Sequence, residues 1–242
     1  MNASIVHLVK LNIPIMVLTV ILLWKVEATY NVFLYFLMFY LLIYLIGYNF
    51  FHRAISHKQL EITKLGQSVV GYLGLFCMLG DALTYSLFHR YHHKYSDTIK
   101  DLHSPVHGRY HSFIGWMFKE NNIGQYQFLI KDLNQSNFNI LKFYNEYQYT
   151  IIWATIVAVS LMSYNLLLGL LLAMSTVFIL EMLANSFLTH SPSERKAVKN
   201  KFYSWISLST YHDFHHGNSD AIIQNDPMFH SVKLFKLLRL IK

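Results

Sequence analysis

Fourteen histidines occur in this chain of 242 residues, and eight of them fall into three short motifs. The first motif, HxxxxH, joins His52 to His57, and the other two have the form HxxHH. These two comprise His89, His92 and His93, and His212, His215 and His216. On a helix, residues at i, i+3 and i+4 share one face, so their imidazoles can converge. Imidazole suits iron, zinc, copper and nickel. The three motifs therefore predict a metal site built from histidine.

The composition restricts the class of protein that carries this site. The chain is 54% hydrophobic and only 14% charged, whereas soluble domains carry about 25% charged residues. The apolar excess argues against disorder. One cysteine, Cys77, excludes an internal disulfide framework and a metal site built from several cysteines. A membrane protein is the class that remains.

Four long apolar runs, at roughly 11–24, 30–51, 148–163 and 166–189, provide candidate elements to position the histidines. A helix that spans a bilayer needs about 20 apolar residues, and the first run reaches this length only by including residues 5–10. The runs predict two transmembrane hairpins, about 5–51 and 148–189, and a cap formed by about 52–147 and 190–242. The expected fold is an all-α integral membrane protein of one domain, 1–242, with four transmembrane helices, an in-plane helix and a helical cap that holds a dimetal site.

The charged residues predict the orientation in the membrane. Of the 20 Lys and Arg residues, ten lie between 52 and 147 and eight between 191 and 242. By the positive-inside rule, the cap and both termini should be cytoplasmic. We therefore interpret the net charge of +7 as a signal for topology and anionic lipid, with no nucleic-acid partner. A bacterial inner membrane and the endoplasmic reticulum both fit, and no signal peptide is expected because the first run lacks a cleavage site.

The three motifs and their flanking residues resemble the membrane fatty acyl desaturases, most closely the Δ9 acyl-CoA/acyl-lipid branch. Residues 89–104 are similar to its HRxHHxxxDxxxDPH segment, and residues 111–117 are similar to its SHxGWM element. Asn185 and Ser186, followed by His190, resemble its NSxxH element. The resemblance runs from about residue 30 to residue 216.

The resemblance implies a non-haem centre of two iron ions (Fe²⁺) bound by nine histidines, with Asn185 holding a metal-bound water. Zinc could replace iron in a purified sample. The nine ligands would be His52, His57, His89, His92, His93, His190, His212, His215 and His216. The stretch from Asn185 to His190 is one residue longer than the family pattern, so we expect either a bulge in the helix or Ser186 in the place of the asparagine.

A fifth apolar stretch, residues 65–88, is also long enough to span a bilayer. If it did, the first two motifs would lie on opposite sides of the membrane and could not share one site. We therefore expect an in-plane or re-entrant helix here.

Other polar groups are expected to support the ligands. Carboxylates that accept a ring N–H commonly orient metal-bound histidines, and an acidic residue inside a membrane helix usually faces a cavity or a partner. The candidates for this role are Asp97, Asp101, His103, His111, Glu181 and Asp213. His7, His107 and His230 are expected to be bystanders.

An aromatic stripe precedes the first motif. Phe36, Tyr40, Tyr44 and Tyr48 recur every four residues and lead to His52. Helix packing explains such a stripe, but it could also line an acyl tunnel together with Tyr85 and Trp116. In that hypothesis, Tyr40 or Phe36 closes the end of the tunnel.

The function implied is O₂-dependent desaturation of a fatty acyl chain linked to CoA, a carrier protein or a lipid, with Δ9 as the position that the resemblance suggests. The chain has no flavin or nicotinamide fingerprint and no fused cytochrome b5 domain is expected, so a separate donor such as cytochrome b5 or ferredoxin would supply electrons, and the basic cap could dock it. A hydroxylase of the same histidine-box class remains an alternative, although its pattern usually begins with HxxxH. A membrane metal transporter or a non-catalytic lipid-binding relative are further alternatives.

Overall fold

The computed structural model describes residues 3–25, 27, 29–135, 138–193, 196–198, 200–202 and 227–242. The third histidine motif, with His212, Asp213, His215 and His216, lies outside these residues. In chain order the described helices are α1 (Ser4–Lys25), α2 (Tyr30–Ser56), α3 (Lys64–Leu75), α4 (Ala82–Tyr95), α5 (Arg109–Phe113), α6 (Asn139–Met162), α7 (Tyr164–Leu188) and α8 (Pro227–Leu237). Short 3₁₀ segments cover Pro105–His107, Gly115–Phe118 and Ile123–Ile130. A small antiparallel pair, β1 (His190–Ser191) and β2 (Lys196–Ala197), follows α7.

Three of the described helices, α1, α2 and α7, are long and apolar enough to cross a membrane. The prediction of an α-helical membrane protein is therefore confirmed at this coarser level. Helix α6 contains the third apolar run, but its first turns carry Lys142 and Glu146, and it is not among the three.

Helix α7 is the central helix of the described part. Its most apolar window is 72% buried, compared with 33% for α1 and 22% for α2. Gly169 permits the close approach of α2, because a Cβ at this position would lie 2.6 Å from the Cβ of Tyr35. This packing brings the C-terminal ends of α2 and α7 to the same end of the bundle. The first histidine motif lies at the end of α2, and His190 follows the end of α7.

The stretch 65–88 forms two helices rather than the single helix that we expected. Helix α3 ends at Leu75, and the chain reverses through Met78 and Gly80, whose φ angles are 61° and 94°. Asp81 then caps α4 by accepting hydrogen bonds from the backbone N–H groups of Leu83 and Thr84. A tight turn with a good N-cap ends one helix and begins the next, which apolar periodicity alone does not reveal.

Asp81 also joins α4 to α6. The amide groups of Asn145 and Gln148 donate to its Oδ2 at 2.8 and 3.3 Å. The carboxylate is fully buried and bonded on both oxygens, so it fixes the start of the helix that carries the second histidine motif.

The C-terminal segment packs against the start of α3. Ile241 forms a β-bridge with Ile62, and the Thr63 hydroxyl donates to the carbonyl of Arg239 at 2.7 Å. A Cβ on Gly66 would lie 1.9 Å from the carbonyl oxygen of Leu240. Glycine at position 66 therefore allows the end of the chain to lie against α3.

Candidate metal centre

The first motif lies in a π-helical turn at the end of α2, Phe51–Ser56. The N–H of His57 donates to the carbonyl of His52 at 3.1 Å, which is the i→i−5 bond of a π-helix. In an α-helix, residues five apart would point about 140° away from each other at 3.6 residues per turn. The wider turn brings the two rings to 5.1 Å between centroids. The π-helical turn is therefore what allows two histidines at HxxxxH spacing to face the same point.

The second motif, on α4, divides its histidines between two groups. His89 and His93 are one turn apart and face the first motif, with ring centroids 4.7 and 4.6 Å from that of His57. The Nε2 atoms of His57 and His89 are 2.7 Å apart. We call His52, His57, His89 and His93 the four-histidine group. One ring nitrogen from each of these residues lies within 4.8 Å of those of the other three.

His92, the third histidine of this motif, faces a different neighbour. Its ring centroid lies 4.9 Å from that of His190 and 6.4 Å from that of His89. His190 follows the end of α7, so this pair joins the last membrane helix to α4. We call His92 and His190 the second histidine group.

Both members of the second histidine group contact a carboxylate through Nδ1. His92 Nδ1 lies 2.8 Å from Asp101 Oδ2, and His190 Nδ1 lies 3.1 Å from both oxygens of Asp97. A carboxylate that accepts the Nδ1 proton leaves Nε2 as the nitrogen available to a metal. Asp97 and Asp101 thus lie where the sequence predicts supporting carboxylates.

Burial and neighbouring charges shift the pKa values of His57, His190 and Asp101 toward the protonation states that metal binding needs. Burial, together with the positive charges of Arg90 and Arg53, lowers the pKa of His57 to about 3. Burial also lowers the pKa of His190, although Asp97 opposes this effect. Burial alone would raise the pKa of Asp101, but the neighbouring histidines outweigh it and the net shift is downward. Neutral imidazole is the ligand form, so the residues fit a metal with nitrogen ligands.

His103 and His111 lie behind the second histidine group. His103 Nδ1 is 3.8 Å from Asp101 Oδ1, and burial lowers its pKa to about 4. His111 Nε2 lies 2.9 Å from the carbonyl oxygen of Leu102, which connects α5 to the loop that carries Asp101. Both histidines therefore contact the loop that carries Asp101, and their supporting role stays a prediction.

The helix bulges where the spacing between Asn185 and His190 is too long. Residues Ala184–Leu188 form a π-helical turn, and the N–H of Thr189 donates to the carbonyl of Ala184. Ser186 is fully buried and donates to the carbonyl of Met182 at 2.6 Å. Asn185 instead lines, together with His92, the cavity that is described in the next paragraph. Of the two alternatives, the bulge is the one found in the structure.

A cavity of about 100 Å³ adjoins both histidine groups. Its walls are largely apolar and include His52, His89, His92 and Glu181. Among the described residues, the predicted tunnel residues that line it are Tyr48, Tyr85 and Trp116, and those that do not are Phe36, Tyr40 and Tyr44.

His7 also lines this cavity, although the sequence placed it among the bystanders. It lies on the first turns of α1, 3.2 Å from the carbonyl oxygen of Met78, and Asn12 donates to the same oxygen. No motif surrounds His7 in the sequence, so only the packing of α1 reveals this position. His107, by contrast, is exposed, and the side chain of His230 lies outside the described residues.

Glu181, also buried, lies on α7 between the second histidine group and the apolar interior. Tyr44 and Tyr48 of α2 each donate a hydrogen bond to one of its carboxylate oxygens. The Tyr48 ring lies 5.6 Å from that of His52 between centroids. The aromatic stripe therefore connects the carboxylate of α7 to the first motif, which the sequence did not predict for these tyrosines.

Comparison with known proteins gives a family resemblance. No family model matches the chain. An acyl-CoA C20 Delta5-desaturase of Anemone leveillei is 34% identical over 96 residues, which is 38% of this chain and 31% of that protein. A Delta-9 desaturase-like 4 protein of Arabidopsis thaliana is 24% identical over 212 residues, covering 78% of this chain and 68% of the relative. Delta-9 acyl-lipid desaturase 1 of the same plant is 34% identical over 68 residues, covering 28% and 22%.

The match spans about a third of the length of the first of these relatives. The relatives are named as acyl-CoA, acyl-lipid and Delta-9 desaturases. The resemblance indicated by the histidine motifs is therefore confirmed: the chain is similar to enzymes that are named as fatty acyl desaturases.

Proposed function

We propose that the protein catalyses the O₂-dependent desaturation of a fatty acyl chain at a centre of two iron ions. The observation that carries this proposal is the four-histidine group, in which His57 and His89, 32 residues apart in two motifs, direct their imidazoles to one point together with His52 and His93. The cavity beside this group is the second requirement, because an acyl chain needs an apolar space next to the metal.

In this proposal, the metal ligands are the nine histidines of the motif set, with Asn185 acting through a water. His52, His57, His89 and His93 belong to one ion, and His92 and His190 to the other. His212, His215 and His216 complete the set. Two bound iron ions would supply the O₂ activation that an unactivated C–H bond requires.

The remaining residues orient the histidines, exclude water from the site and provide apolar surface for the acyl chain. Asp97 and Asp101 accept the Nδ1 protons of His190 and His92, so the Nε2 atoms stay directed at the metal. Tyr85 and Trp116 line the cavity and provide apolar surface for the acyl chain. Because the cavity is also lined by His52, His89 and His92, an acyl carbon inside it lies close to the ligands. The apolar walls keep this carbon away from solvent.

The protein as a whole is proposed to span the membrane four times, with α6 as the additional helix. The cap and both termini face the cytoplasm, at a bacterial inner membrane or the endoplasmic reticulum. A separate donor, such as cytochrome b5 or ferredoxin, supplies the electrons. The acyl group is linked to CoA, a carrier protein or a lipid, and we propose Δ9 as the position of the double bond.

Expression in a host with a known lipid profile tests the proposal. We expect a new unsaturated acyl species, located by mass spectrometry of its double bond, that disappears in His92→Ala and persists in His107→Ala. A hydroxylated product would favour the hydroxylase of the same class. No new product, despite two bound irons and a working reductant, would contradict the desaturase function for the lipids tested.

A further inference from the structure

Arg90 lies inside the second motif, between His89 and His92, but its described hydrogen bonds go to neither Asp97 nor Asp101. Its guanidinium instead reaches the end of α2. Nε donates to the carbonyl of Ser56 at 2.6 Å, and Nη2 donates to the carbonyl of Ile55 at 3.4 Å. The side chain is only 18% exposed. These bonds join the two helices that supply the four-histidine group.

The two carbonyls belong to the last turn of α2, directly before His57. Carbonyls at a helix end have no partner inside the helix and need one outside it. Arg90 supplies that partner from α4, one residue after His89. The contact therefore fixes the position of His57 relative to His89, and their Nε2 atoms lie 2.7 Å apart.

A third segment holds the other side of the guanidinium. Nη1 donates to the carbonyl of Leu129 at 2.6 Å, and Asp132 accepts from Nη1 and Nη2 at 2.6 and 3.2 Å. Lys58 Nζ also lies 2.7 Å from Asp132. Burial alone would raise the pKa of Asp132, but the hydrogen bonds from Arg90 and Lys58 lower it to about 2. A bidentate pair of this kind fixes direction as well as charge.

The second histidine group has its own supports. Asp101 orients His92 and Asp97 orients His190, and the described hydrogen bonds of Arg90 go to other residues. We propose that Arg90 is a positioning residue that sets the geometry of the four-histidine group alone. This inference rests on the proposed metal centre.

Metal stoichiometry of the purified full chain tests the inference, with Co²⁺ as the probe. We expect the wild type to bind two Co²⁺ ions. In Arg90→Gln, the affinity for one ion should fall by about ten- to a hundredfold, as for other groups that orient metal ligands. Arg90→Lys keeps the charge opposite Asp132 but lacks the planar fork, so we expect the same ion to be weakened to a smaller extent. Glu61→Gln, which removes the exposed ion pair with Lys242, is the matched control.

Combined variants identify the ion that is affected. In a His57→Ala background, Arg90→Gln should cause no further loss, because the four-histidine group is already broken. In a His190→Ala background, the same substitution should lower the affinity for the remaining ion by about ten- to a hundredfold. Two ions bound with wild-type affinity in both Arg90 variants, or equal weakening of both ions, would overturn the inference. A wild type that binds no Co²⁺ would instead contradict the proposed metal centre.

Discussion

His57 and His89 come from two different helices, yet their Nε2 atoms lie only 2.7 Å apart. Two nitrogens bound to one ion at about 2.1 Å are separated by about 3 Å when the angle at the metal is near 90°. The low pKa of His57 keeps its ring neutral, so the short distance is not a contact between two cations. The pair is already close to the arrangement that a shared ion requires.

The first prediction follows from this pair. His57→Ala should lose the ion of the four-histidine group and the desaturated product, because the substitution removes one of its nitrogens. His107→Ala should retain both, since His107 is exposed. Metal analysis of the purified protein, together with lipid mass spectrometry, measures the two effects. A His57→Ala protein with two tightly bound ions would contradict the assignment of this group.

A second prediction concerns Asp97, which orients His190. Its φ of 58° lies in the left-handed region, which asparagine tolerates better than most residues. Asp97→Asn therefore removes the charge and keeps the turn. We expect metal affinity to fall by about ten- to a hundredfold, measured by competition with a chelator. Glu120→Gln, at an exposed carboxylate, is the control, and equal affinities in the two variants would count against the role of Asp97.

The sequence motifs predicted which histidines would come together better than they predicted the path of the chain between them, and the role of these histidines as ligands stays a prediction. The HxxHH spacing predicts that three imidazoles can converge, and on α4 the structure brings His89 and His93 into one group. It could not predict that His92 turns to another group, because that depends on Asp101 and His190, which are distant in sequence. The π-helical turn at His52 also depends on packing, since no local residue type specifies it, whereas the turn at Asn185 is one of the two alternatives that the longer spacing suggests. His7 reaches the cavity only through the packing of α1.

The third prediction tests the hydrogen bonds between α2 and α7. Tyr48→Phe removes one donor from the buried carboxylate of Glu181. Loss of a partner by a buried polar group costs about 1–3 kcal/mol, so the free energy of unfolding should fall by that order. Tyr164→Phe, at an exposed tyrosine, should have little effect. In a Glu181→Gln background the cost of Tyr48→Phe should shrink, and an unchanged cost would show that the two residues act separately.

A fourth prediction distinguishes the aromatic residues that line the cavity from those of the α2 stripe that do not. Trp116 lines the cavity, whereas Tyr40 does not. Trp116→Ala should therefore change the chain length or the double-bond position of the product, because it enlarges the space beside the second histidine group. Tyr40→Ala should leave both unchanged. If lipid analysis shows the reverse, the acyl chain follows the aromatic stripe of α2 instead of this cavity.

The last prediction uses the pH dependence of the Arg90–Asp132 pair. The pKa of Asp132 falls from 3.8 to about 2 on folding, so its stabilising contribution is complete above pH 3.8 and disappears as the pH falls through 2. Asp132 is 30% exposed, and we expect Asp132→Asn to lower the free energy of unfolding by about 1 kcal/mol. The difference from the wild type should be constant between about pH 5 and pH 8 and should shrink only in strong acid, where the carboxylate protonates. Chemical unfolding in detergent at several pH values measures it, and a difference that changes between pH 5 and 8 would indicate that another group titrates with the pair.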